Sequence, residues 1–277
     1  MEDTGKSEFG VRMTASPAGP ATALQAVGNL EEEFSGGGVV ERDFPLTGVP
    51  LLGSFYFQYT SGRNLSTQLD HHVQTVLVLP GFPDQGKIEL GMTENGNDAD
   101  YYFKVRHFLA DNSRIRRFSR GLDIGQGRNI EIPIERPTGN FIFVLNGFQL
   151  SYRGDDHHID EIGITESDGK VRVRLNDKND DDSFVFKLSY AYVPRDLIAQ
   201  LGTARGDGDS DAGGGASMPI PAGTAVIRGF NMDFRSTDHH IRNIGVVTDN
   251  RKVEVFFGDK NGDDTYDWVV QWAILAA

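Results

Sequence analysis

Three Asp-His-His triplets constrain this chain more than any other feature. They read Asp70-His71-His72-Val73, Asp156-His157-His158-Ile159 and Asp238-His239-His240-Ile241, and they account for six of the seven histidines. Val76-Leu77-Val78, Ile162-Gly163-Ile164 and Ile244-Gly245-Val246 follow at the same distance. The second and third copies align without a gap at an offset of 82 residues, His157 to His239, from Gly147 opposite Gly229 to Tyr192 opposite Ile274. Self-similarity held over that length indicates duplication. The first copy needs insertions on either side of its His pair.

Each copy reads as strands. Ser54–Tyr59, Lys87–Met92, Asn129–Glu135 and Lys170–Leu175 alternate with period two, and Phe141–Leu145 is an apolar run of strand length. Pro133 confines its strand to a sheet edge. The spacing Ile159, Ile162, Ile164 breaks strict alternation, and a bulge after the His pair restores it. Long helical periodicity is absent, except that Leu24, Val27 and Phe34 suggest a short helix interrupted by Gly28. The expected fold is all-β, with three tandem related β-sandwich-like units of jelly-roll-like topology. The expected boundaries are a flexible N-terminal arm over 1–38, units over 39–112, 113–200 and 218–277, and a Gly/Asp-rich linker over 201–217. Gly206-Asp207-Gly208-Asp209 and Gly213-Gly214-Gly215 suggest flexible coil there.

Net charge is −13, from 40 acidic and 27 basic side chains, which argues against nucleic acid or an anionic membrane as the main partner. Cysteine is absent, so thiolate chemistry and disulfides are excluded. No apolar run approaches the ~20 residues of a membrane span, and Met1–Lys6 lacks the basic and apolar regions of a secretory signal. The expectation is a soluble chain without membrane insertion.

The triplets admit two readings. Adjacent strand residues point to opposite faces, so one His of each pair turns inward and the other toward solvent or a groove. As a repeated fastener, the aspartate bonds backbone donors while a His ring bridges strands. As a metal site, neighbouring His in one strand chelate poorly, and a transition metal requires histidines of separate units to converge.

Asp177-Lys178-Asn179-Asp180-Asp181 and Asp259-Lys260-Asn261-Gly262-Asp263 carry D-x-N-x-D. Alternate oxygen ligands there suit calcium, with Asp177, Asn179, Asp181, Asp259, Asn261 and Asp263 as candidates. The EF-hand glutamate is missing, because Leu188 and Val270 occupy its position. The plain alternative is an Asn/Asp/Gly turn. The first unit has Glu94, Gly96 and Asp98 at the matching places. A third reading joins triplet and turn in one His–carboxylate network.

Trp268, Val270 and Trp272 share a strand face, which suits the core. In a lectin the same rings would stack on sugar beside a calcium turn. Arg114, Arg116, Arg117, Arg120 and Arg128 form a basic island suited to an acidic surface on another copy. Nucleophile-elbow, P-loop and H-E-x-x-H motifs are absent. The two Arg-Gly-Asp triplets, at Arg153 and Arg205, need no explanation beyond composition. The leading expectation is a non-enzymatic structural or assembly protein, as in a virion, a phage-like particle or a surface appendage, whose partners are copies of itself or other assembly subunits. The alternative is a calcium-dependent glycan-binding protein. A metal-dependent hydrolase is a third class.

Overall fold

The structure is a computed structural model that describes residues 9–14, 23–35, 37–44, 48–60, 72–81, 86–94, 100–111, 113–124, 129–134, 136–153, 158–177, 183–210, 215–235, 240–249, 251–259 and 265–276. These form strands almost throughout. After β1 (Phe9–Thr14), the chain repeats a six-strand unit three times. The first unit holds β2 (Ala23–Phe34), β3 (Val40–Asp43), β4 (Val49–Tyr59), β5 (Val73–Pro80), β6 (Lys87–Glu94) and β7 (Tyr101–Asp111). The second holds β8 (Arg116–Ile124), β9 (Asn129–Pro133), β10 (Phe141–Tyr152), β11 (Ile159–Ser167), β12 (Lys170–Asp177) and β13 (Phe184–Pro194). The third holds β14 (Ile198–Asp209), β15 (Ala216–Pro219), β16 (Ala225–Phe234), β17 (Ile241–Thr248), β18 (Lys252–Asp259) and β19 (Thr265–Leu275). No helix among the described residues is long and apolar enough to cross a membrane.

The all-β class and the three related units are therefore observed. The sheets are shared between units. Their orders are β1-β8-β13-β10-β5-β6-β3, β14-β19-β16-β11-β12-β9 and β15-β18-β17-β4-β7-β2. In each unit the first, sixth and third strands lie side by side in one sheet, and the fourth, fifth and second extend the next. The seam joins the third strand of one unit to the fourth strand of the unit before it: β10 to β5, β16 to β11, and β4 back to β17. The last seam closes the cycle, so the third unit completes its sheet on the first.

The core follows from this exchange. Phe55, Phe148 and Phe230, all fully buried, come from the third strands of the three units. Their ring centroids are 5.1, 5.0 and 5.3 Å apart, which defines a pseudo-threefold axis. Contacts of this kind contribute beyond burial alone. β4, β10 and β16 also touch one another directly. A smaller cluster includes Leu51, Val144 and Val226, near the starts of β4, β10 and β16, together with Ala191 and Ala273.

Each seam also carries an arginine clamp at the end of the fourth strand. Arg117 is buried and donates to the carbonyls of Pro80 and Gly81, 3.0 Å each. Arg228 pairs with buried Glu166 at 3.2 Å, and Arg136 holds the other carboxylate oxygen at 2.6 Å. Arg106 donates to Thr248 Oγ1 at 3.2 Å and to the Thr248 carbonyl. Much of the basic island is thus engaged within the chain, with Arg114 on Asp196 and Arg120 on the Pro133 carbonyl. Arg128 lies outside the described residues.

Three sequence expectations are corrected. The stretch 1–38, expected to be a flexible arm ahead of the first unit, includes β1 and β2, and β2 is the first strand of that unit. The helix suggested by Leu24, Val27 and Phe34 is this strand, paired with β7, and the irregularity at Gly28 is a register shift between Val27 and Asn29. A ladder supplied by a distant strand overrides local helical spacing. The stretch 201–217, expected to be linker, includes most of β14, paired along its length with β19. Its small residues alternate because they lie opposite rings: Gly202 faces Trp272, Gly206 faces Trp268 and Gly208 faces Tyr266. A Cβ at Gly202 would lie 2.1 Å from Trp272, and one at Gly208 would lie 2.3 Å from Tyr266. The expected edge position of Pro133 is observed, since β9 ends its sheet.

Replacing Gly208 by Val should destabilise the protein by about 1–3 kcal/mol, the usual cost of overpacking. Urea unfolding of the variant measures this. A flexible coil would leave the midpoint unchanged.

Candidate functional site

The seams bring one histidine of each triplet to the axis. β5, β11 and β17 start at Val73, Ile159 and Ile241, each about 99% buried. His72, His158 and His240 immediately precede them. The anticipated bulge follows directly, as register shifts between Val73 and Thr75, Ile159 and Glu161, and Ile241 and Asn243. It lets Ile159, Ile162 and Ile164 all face the core.

The three imidazoles meet beyond the C-terminal ends of β4, β10 and β16, away from the smaller apolar cluster. Ring centroids lie 4.5 Å (His72–His158), 4.8 Å (His72–His240) and 4.7 Å (His158–His240) apart. His72 Nε2 and His240 Nδ1 are 3.1 Å apart, so one carries the proton and the other accepts it. One ring nitrogen from each histidine lies within 4.8 Å of the others, and all three residues are half-buried.

The acidic turns set this geometry. Asp177 accepts the His158 backbone N–H at 3.1 Å through Oδ2, and Asp259 accepts that of His240 at 2.8 Å through Oδ1. Both carboxylates are nearly inaccessible, at 3% and 1% exposure, so these charge-assisted bonds compensate for desolvation. Glu94 holds the matching register position opposite Val73. The expected network of triplet and acidic turn thus takes the form of carboxylates on backbone amides. Among the predicted calcium ligands, Asp177 and Asp259 stand here, at the ends of β12 and β18. Asn179, Asp181, Asn261 and Asp263 lie outside the described residues, as do the aspartate and first His of each triplet. Spacing alone could not show that His72, His158 and His240 meet; the signal was their repetition at one position per unit.

Trp268 and Trp272 are buried, as a core role requires. A row of carboxylates, Glu161, Asp233, Asp267 and Asp207, crosses one sheet on neighbouring strands. Burial pushes the Glu161 carboxyl up despite Arg174 at 3.1 Å. Burial and then Asp267 push Asp233 up. The seventh histidine, His107, is a core residue: its Nε2–H donates to the Asn146 carbonyl at 2.7 Å, and Phe44 packs against its ring. Burial pushes its pKa down to about 4. A cavity of about 200 Å³ lined by residues including Lys87, Ser119 and Ser189 lies by Pro80, at the far end of β5 from His72.

No protein-family model matches the chain, and no curated protein matches it.

Two outcomes follow. Asp259→Ala should destabilise by about 1–3 kcal/mol, because the His240 amide loses its acceptor, while Asp259→Asn, which keeps an oxygen, should cost less; thermal melts of both variants check this. His107 binds a proton more readily unfolded than folded. Its contribution is intact above pH ~6.5 and falls by about 3 kcal/mol as pH drops toward 4. Urea titrations across that range should show a shallower acid loss in His107→Gln than in the parent.

Proposed function

We propose that this chain is a non-enzymatic structural subunit that works in an assembly with copies of itself or with other subunits. The observation that carries the reading is the unequal treatment of three equivalent edges. β1 adds a seventh strand to the outer edge of β8. The equivalent strands β2 and β14, 12 residues each, end their sheets among the described residues. Long strand edges present rows of backbone donors and acceptors that pair readily with another chain. A body with approximate threefold symmetry and edges of this kind suits a particle or a surface appendage, and a virion is one such setting.

The calcium-dependent glycan reading draws less support. Trp268 and Trp272 are turned into the core, and Asp177 and Asp259 each hold a histidine amide.

Light scattering on the purified chain should give a discrete oligomer whose mass is indifferent to a calcium chelator. Deleting residues 1–22 removes β1, exposes the third edge and should change that mass. A monomer at every concentration would overturn the assembly reading. Glycan binding that requires calcium would replace it with the alternative.

A further inference from the structure

We propose that His72, His158 and His240 together bind one divalent transition-metal ion on the pseudo-threefold axis. The inference is independent of the assembly role.

Neighbouring histidines of one strand chelate poorly, but one histidine from each of three units can converge on an ion. The closed strand exchange delivers this arrangement, since each histidine precedes a fourth strand and the fourth strands are carried round the axis by the three seams. The result is a tripod of imidazoles with one nitrogen from each ring within 4.8 Å of the other two.

A tetrahedral ion with metal–nitrogen bonds of 2.0–2.1 Å needs ligand nitrogens roughly 3.3 Å apart. His72 and His240 already stand at 3.1 Å. A ring nitrogen of His158 lies within 4.8 Å of nitrogens of the other two, and binding of the ion requires the His158 ring to close the remaining gap.

The backbones of two of the three histidines are held in place. Asp177 and Asp259 clamp the amides of His158 and His240, and the buried residues at Ile159 and Ile241 anchor the strands directly behind. Groups held in this way lose little further freedom on binding. The Asp177 and Asp259 carboxylates engage backbone, so they orient the histidines, and among the described residues the ligand set is nitrogen. Three neutral imidazoles select zinc, cobalt, nickel or copper over calcium and magnesium, which take oxygen. A half-buried tripod leaves a fourth position for water or a group from outside.

The test uses the full chain after chelator treatment. Zinc titration followed by calorimetry should give one ion per chain, and cobalt should give the intense visible bands of a tetrahedral nitrogen site. Calcium in excess should not displace either. His240→Asn and His158→Asn should each weaken zinc binding by at least about tenfold, and His72→Ala/His158→Ala/His240→Ala should abolish it. The control His71→Ala/His157→Ala/His239→Ala should bind as the parent does. Circular dichroism shows which variants are folded, and the two single asparagine variants keep a polar side chain should the triple variant fail. Absence of saturable zinc or cobalt binding in the parent would overturn the proposal. So would unchanged binding in the single variants, or loss confined to the first-histidine control.

Discussion

The contact among Phe55, Phe148 and Phe230 organises everything else. Each ring sits on the strand that leaves its own unit's sheet partners on one side and meets the preceding unit on the other. When the three rings pack at centroid distances of 5.0–5.3 Å, the three seams are brought to hydrogen-bonding range together. Removing one ring would open a void shared by all three sheets, and cavities in a dense interior are costly. The arginine clamps then secure the outer ends of the seams, each with a different partner set. The apolar centre is therefore more alike among units than the polar periphery.

A cyclic exchange has a consequence for folding. The first unit's β4 requires β17, nearly two hundred residues later in the chain, as the Ser54–Thr248 hydrogen bonds with a separation of 194 residues show. Non-local pairing of this kind slows folding and ties the units into one cooperative body. Independent tandem domains would melt separately; here the first and third units share a sheet.

Much of this was legible from the residues alone. The triplets revealed the repeat, Pro133 its edge strand, and Ile159, Ile162 and Ile164 the bulge. Tertiary partners account for what was not. Gly202, Gly206 and Gly208 look like linker until Trp272, Trp268 and Tyr266 occupy the space that side chains would need. The helical spacing of Leu24, Val27 and Phe34 yields to β7. The convergence of His72, His158 and His240 is invisible locally because it depends on which sheet each fourth strand joins. Sequence could state only the condition, that histidines of separate units must meet.

Repetition changes what a residue can do. One Asp-His-His turn is a strand start with a carboxylate beneath it. Three of them, placed by a closed exchange around an axis, set their second histidines against one another whether or not any unit alone has use for a ring there. The first unit has drifted most, with Leu77 where the others have Gly163 and Gly245 and Glu94 where they have Asp177 and Asp259. His72 nevertheless stands in the tripod with the other two. Because the three histidines meet only when β4 has reached β17, the cluster exists only in the closed molecule. An ion held there would bind the folded form in preference to the unfolded one and would tie together, at the end of the axis farthest from the smaller apolar cluster, the units that the phenylalanines join at the centre.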